Sequence, residues 1–265
     1  MGYQGTPCWY ELGTEDIRAA GQFYRKIFGW QMIDGGMEEM DYHLGKSGEE
    51  MVAGFMSTAD QEDPPPPNWL IYFAADDCDK TAADIKAAGG QIYRGPDDIP
   101  GTGRYAIAAD PQGAVFGILQ ADMSEMSVDD IAKVDAGDGA FNQNKAGHGN
   151  WNELMTTDPI AAFDFYAGLF PWSKSQAMDM GDMGKYQLFS HKGADIGAFQ
   201  GLGNAPVPAW LPYFGVDGSV GAVVQTIQEA GGLVHHGPSE VPGPAYIAIA
   251  QDPQGAWFAI VGPDK

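Results

Sequence analysis

Cysteine is nearly missing from this chain, with Cys8 and Cys78 the only two in 265 residues. Two distant thiols make neither a disulfide framework nor a thiolate metal cluster, so a reducing, cytoplasmic setting is the expectation. Positive charge is scarce as well. Lys and Arg number 14 against 36 Asp and Glu, a formal net charge of −22. Such a surface repels nucleic acid and anionic lipid, and neither is expected as a partner. No apolar run approaches the roughly 18 residues that a membrane span needs, and no charged segment near the N-terminus leads into an apolar one. Histidine is limited to His43, His148, His191, His235 and His236. No two of these show metal-ligand spacing. The neighbours His235 and His236, on one strand, are expected to point to opposite faces.

What the chain does have is turns, with 37 Gly and 18 Pro, and repetition. DPQGAVFGIL (110–119) returns as DPQGAWFAIV (252–261), an offset of 252 − 110 = 142. The same offset links Trp9 to Trp151, Asp16 to Asp158, Phe23-Tyr24 to Phe165-Tyr166, Trp30 to Trp172 and Gly95-Pro96 to Gly237-Pro238. One offset held over that much chain means two copies of one unit. Asp-Pro-x-Gly is a tight turn that feeds an apolar strand in each copy.

Each copy is itself double. A strand at 7–14, a helix at 16–28 and strands at 30–34, 41–46 and 51–56 precede the stiff run Glu62-Asp63-Pro64-Pro65-Pro66-Pro67. The pattern then restarts, with a strand at 69–76, a helix at 77–88 and strands at 91–95, 104–110 and 114–120. The expected fold is therefore α+β: four βαβββ modules in two tandem domains, 1–122 and 148–265, with curved mixed sheets. Residues 123–147 are the expected linker, with a helical turn at 127–134. Trp69 and Trp210 are 141 apart, so one residue is inserted near Gly218 and should lengthen the turn before the fourth helix.

Four such modules, with Phe-Tyr near the end of each odd-numbered helix and DPxG before each copy's closing strand, resemble the vicinal-oxygen-chelate superfamily. That group includes glyoxalases, bleomycin-resistance proteins and extradiol dioxygenases, and the resemblance covers 8–122 and 149–262. It implies a divalent metal in a cup formed by two modules, with ligands from first and closing strands. Here the first-strand positions fall on Trp9, Trp151, Leu70 and Leu211, or Trp69 and Trp210 if shifted by one. The closing-strand position, usually Glu, falls on Gly54, Gly117, Ala198 and Ala259. None of these can bind a metal. No metal and no other cofactor is expected.

Candidates for chemistry remain beside those positions. Glu11 and Glu153 lie two residues beyond Trp9 and Trp151, on the same strand face. Either carboxylate serves as a general acid or base, or it accepts hydrogen bonds and fixes the cup floor. Tyr72 and Tyr213 are hydrogen-bond donors or packing residues, and Tyr42 and Tyr186 are third-strand equivalents. Trp9, Trp69, Tyr72, Trp151, Asn152, Trp210 and Tyr213 are the candidate ligand-binding residues. Three readings follow: a metal-free binder of a small apolar or aromatic molecule; a metal-free isomerase or lyase acting on a carbonyl compound through Glu11 or Glu153; and a metal-dependent lyase or dioxygenase, which the missing ligands oppose. The expected partner is a small molecule, and the expected assembly a monomer or homodimer.

Overall fold

The computed structural model describes residues 3–37, 40–124, 139–181 and 184–265. The expected helical turn at 127–134 lies outside them. Module 1 comprises β1 (Pro7–Thr14), α1 (Ile17–Phe28), β2 (Gln31–Asp34), β3 (Tyr42–Ser47) and β4 (Glu50–Ser57). Module 2 follows as β5 (Asn68–Ala74), α2 (Cys78–Ala87), β6 (Gln91–Ile99), β7 (Gly103–Ala109) and β8 (Val115–Ala121). Module 3 is β9 (Gly149–Thr156), α3 (Pro159–Leu169), β10 (Ser173–Asp179), β11 (Lys185–His191) and β12 (Ala194–Gly201). Module 4 is β13 (Ala209–Gly215), α4 (Val220–Glu229), β14 (Leu233–Val241), β15 (Ala245–Gln251) and β16 (Trp257–Gly262). The fold is α+β, as the sequence implied.

Each helix begins where a short polar side chain can take an orphan amide. Asp16 accepts from Ala19 N at 2.9 Å, Asp77 from Lys80 N at 2.9 Å and Asp158 from Ala161 N at 3.0 Å. Ser219 does the same for Ala222 N at 3.2 Å. The inserted residue is visible here. Residues 75–77 join β5 to α2, whereas 216–219 join β13 to α4, with Gly218 at φ +72°.

The strands form two curled, mixed, eight-stranded sheets, ordered β2-β3-β4-β1-β5-β8-β7-β6 and β10-β11-β12-β9-β13-β16-β15-β14. In each, the first strand of a module pairs in parallel with its last, and the hairpin strands pair antiparallel. By packing, the chain divides into two compact units. One comprises Met1–Cys8, Ile71–Asp138 and Asn152–Leu211, and the other Trp9–Leu70, Gly139–Trp151 and Pro212–Lys265. The first therefore holds most of modules 2 and 3, the second most of modules 1 and 4.

Both units are built round the same buried joint. In the second, Trp69 Nε1 donates to Tyr24 Oη at 2.9 Å, and Tyr24 Oη donates to Asp252 Oδ2 at 3.0 Å. Asp252 Oδ1 accepts from Gln254 N at 2.9 Å and Ala256 N at 3.0 Å, which closes its own DPQG turn. In the first unit, Trp210 donates to Tyr166 at 3.0 Å and Tyr166 to Asp110 at 3.2 Å. Gln254 adds a second clasp, accepting from Asp16 N at 3.0 Å and donating to Asp16 O at 2.9 Å. Gln112 repeats this on Asp158, at 2.6 and 2.9 Å. The repeated motif thus joins modules as well as turning the chain. Burial raises the pKa of Asp110 and Asp252, and the turn amides and the tyrosine oppose that rise.

Candidate functional site

Strand alternation gives the sheets two apolar faces. In module 4, Ala248, Ala250, Phe258 and Ile260 are fully buried, on strands that α4 packs against. The intervening Ile247, Ile249 and Val261 are only half-buried and share the opposite face with Ala259 and Tyr213. Module 2 repeats this: Ala106, Ala108, Phe116 and Ile118 are fully buried, while Ile107 and Leu119 are half-buried on the other face. A soluble sheet that needed one core would carry polar residues there.

In modules 1 and 3 the two glutamates stand on the equivalent face, with Leu12 and Phe55, and Leu154 and Phe199, fully buried on the other. Glu11 pairs across β1 and β4 with Gly54, and Glu153 across β9 and β12 with Ala198. Tyr72 pairs likewise with Gly117, and Tyr213 with Ala259. All four modules therefore set a Glu or Tyr against a Gly or Ala. The small partner makes room for a tyrosine ring. A Cβ on Gly54 would lie 2.6 Å from Cζ of Tyr42 and 2.9 Å from Nε1 of Trp9, and one on Gly117 would overlap the Tyr72 ring.

In the second unit, Trp9 Nε1 donates to Tyr42 Oη at 3.0 Å, and Tyr42 donates to Glu11 Oε2 at 3.0 Å. Burial first, and the Glu11 charge second, raise the Tyr42 pKa well above the usual phenol value, so it remains a donor. In the first unit, Tyr186 Oη donates to Glu153 Oε2 at 2.7 Å and Gln200 Nε2 to Glu153 Oε1 at 2.8 Å. Glu153 is 3% exposed and Glu11 9%. Gln200 was not foreseen, because its place on β12 is that of Met56 on β4 and the repeat hides it. A depression of ≈ 420 Å³ opens beside Tyr42, lined also by Asp34, Met37, Met40, Asp41, Ser57 and Asp60. Neither Trp9 nor Glu11 belongs to its walls, and it is acidic where the open face is apolar.

Several expected ligand-binding residues lie elsewhere. Trp69 and Trp210 are each 5% exposed and sit on the opposite face from Tyr72 and Tyr213, with their indoles in the buried joints. Asn152 alternates away from Glu153, is fully buried and donates to Ile196 O at 3.1 Å. Trp9 and Trp151 are half-buried, and Tyr72 and Tyr213 are buried on the open face. His148, buried, has Nε2 2.8 Å from Glu50 Oε2 and Nδ1 3.0 Å from Ala146 O. His235 and His236 also depart from expectation. A bulge in β14 pairs His236 with the open-face Ile249, and the extra residue His235 meets Gln251 and Trp257 on that same face.

The positions that the resemblance assigns to metal ligands do not fit a metal. Gly54 and Gly117 offer no donor and stand beneath tyrosine rings, while Ala198, Ala259, Leu70 and Leu211 are buried and apolar. Among the described residues, no group of three His, Cys, Asp or Glu side chains is arranged to hold an ion. Nor, among them, is any helix long and apolar enough to cross a membrane.

Residues 8–118 match the Glyoxalase/Bleomycin resistance protein/Dioxygenase superfamily. CFP32 of Mycobacterium tuberculosis (strain CDC 1551 / Oshkosh), provisionally named a glyoxylase, is 32% identical over 270 residues, 98% of this chain and 95% of that protein. The anthracycline biosynthesis protein DnrV of Streptomyces peucetius is 31% identical over 280 residues, 97% and 93% of the two chains. Two solved structures share the fold at 15% identity. Homoprotocatechuate 2,3-dioxygenase from Brevibacterium fuscum has a TM-score of 0.68, covering 99% of this chain and 82% of that one. The Mn(II)-bound glyoxalase from Novosphingobium aromaticivorans has a TM-score of 0.62, covering 99% and 83%. With four βαβββ modules, two curled sheets and full-length relatives of that kind, the chain belongs to the glyoxalase/bleomycin resistance protein/dioxygenase superfamily.

Proposed function

We propose that this protein binds a small, apolar or aromatic molecule on the open faces of its sheets, without a metal. The observation that carries this reading is the half-exposed apolar row Ile247, Ile249 and Val261, on a face whose opposite side already has a full core. Apolar surface left uncovered in this way costs about 25 cal/mol per Å² relative to burial, and a planar hydrophobic ligand recovers it. A net charge of −22 disfavours anionic ligands. The relative named for anthracycline biosynthesis accords with an aromatic ligand.

A second reading, a metal-free isomerase or lyase acting on a carbonyl compound, is favoured by Glu153. Its carboxylate is buried and held by Tyr186 and Gln200. A base so placed takes a proton from a carbon next to a carbonyl, and the Tyr186 hydroxyl is the adjacent donor. Glu153→Gln separates a functional carboxylate from a structural one. If the carboxylate binds or reacts with ligand, the variant melts near wild type and loses at least tenfold in affinity or turnover, about 1.4 kcal/mol. A variant that melts early and binds normally assigns Glu153 to structure alone.

A further inference from the structure

We infer that His235 and Trp257 form an aromatic platform at one end of module 4's open face, a subsite for an uncharged planar ring. The inference rests on the reading that this face binds a small molecule. Trp257 pairs with Gln251, and Gln251 with Leu233, so the three side chains share a face. Alternation along β16 puts Trp257 on the side of Ala259, and Ala259 pairs with Tyr213. The platform is thus continuous with the face described above.

Two features mark it as more than a stray exposed tryptophan. First, exposure and geometry go together. Trp257 is 44% exposed and Leu233 61%, the His235 ring stacks on the indole at 4.2 Å and 28°, and the other tryptophans are half-buried or buried. Burying such a cluster against a ring is favourable, whereas leaving it in water is not. Second, the histidine is aimed. A β14 bulge between Val234 and His236 adds the residue that turns His235 toward Trp257. Gln251 Nε2 donates to Gly255 O at 2.9 Å, so its Oε1 is the atom that meets His235 Nε2 at 2.8 Å. In the neutral ring this contact puts the N–H on Nε2 and leaves Nδ1 as an acceptor. A hydroxyl on the bound ring is the group that Nδ1 would take.

The first copy carries the same device in altered form. Position 235 − 142 = 93 is Tyr93, at a matching bulge in β6, and 257 − 142 = 115 is Val115. Tyr93 is 58% exposed and Val115 37%. The bulge is common to both copies, but among the described residues the stacked His–Trp pair is present in module 4 alone. The acidic surface sets the charge of the occupant, since an anionic ring would approach a protein of net charge −22.

The test uses the full-length chain with its seven tryptophans labelled as 5-fluorotryptophan, the ¹⁹F resonances assigned with Trp257→Phe, Trp9→Phe and Trp151→Phe. Titration with 2-naphthol should shift the Trp257 resonance. Trp257→Leu should weaken that binding at least fivefold with an unchanged melting temperature. His235→Phe, which keeps a stacked ring but not Nδ1, should abolish the preference for 2-naphthol over naphthalene. If 2-naphthol shifts only Trp9 or Trp151, the platform is refuted and the open-face reading survives. If no resonance moves, both are refuted. If the Trp257 resonance depends on protein concentration alone, the patch is a self-association surface and the platform is again refuted.

Discussion

Replacing Tyr24 by Phe removes one oxygen from the centre of the Trp69–Tyr24–Asp252 joint and changes little else. The ring packing survives, because Tyr24 is fully buried among Trp30, Trp69 and Phe258 whether or not it carries a hydroxyl. Two polar groups lose a partner. Trp69 Nε1 loses its acceptor at 2.9 Å and Asp252 Oδ2 its donor at 3.0 Å, both at nearly water-free positions. An unsatisfied buried group costs about 1–3 kcal/mol, so the pair should cost about 2–6 kcal/mol. For a chain of this size that is a fall in melting temperature of roughly 5–15 °C, read by circular dichroism.

The deficit should also depend on pH. Burial raises the folded pKa of Asp252. A carboxyl raised in this way costs stability at neutral pH and returns it as pH falls through the folded value toward the unfolded one. Removing the tyrosine donor leaves the ionised form worse off than the protonated form, so the deficit should shrink on acidification. Tyr166→Phe should match it through Asp110. A loss below about 0.5 kcal/mol at neutral pH, or a deficit that grows as pH falls, would refute the joint.

Two further outcomes follow from local geometry. Gly117→Ala pushes a methyl into the Tyr72 ring, and overpacking of this kind should cost about 1–3 kcal/mol in urea unfolding. Equal stability would mean that the ring is free to move aside. Cys78 is fully buried, and that burial, followed by the Asp79 charge, pushes its thiol up to about 11. It should resist a disulfide reagent at pH 8 in the native state and react in denaturant; fast native reaction would show that the site opens.

Much of the fold could be read from the sequence, because its signals are local. Asp16 and Gly29 bound α1 as a cap and a left-handed stop, the latter at φ +72°. The 142-residue offset carries β1 at Pro7–Thr14 onto β9 at Gly149–Thr156 without a shift. The site was less legible. Trp69 and Trp210 read as cup lining because matched tryptophans carry no sign of which strand face they occupy, and Asn152 carries no such sign either. The partnership of Tyr24 with Asp252 spans 228 residues, and no spacing rule reaches that far. His235 and His236 should alternate, and one bulged residue cancels that. Gly54 and Gly117 read only as absent ligands, whereas in the fold they are the space that Tyr42 and Tyr72 fill.

The central claim, ligand binding on an apolar face without a metal, is tested most directly by calorimetric titration of 2-naphthol. It should be run before and after exhaustive dialysis against EDTA, with the metal content of both samples measured by elemental analysis. The account predicts the same affinity in both, with metal far below one equivalent per chain at the start. A stoichiometric divalent ion, with binding lost on chelation and restored by adding Mn²⁺ or Zn²⁺, would contradict it.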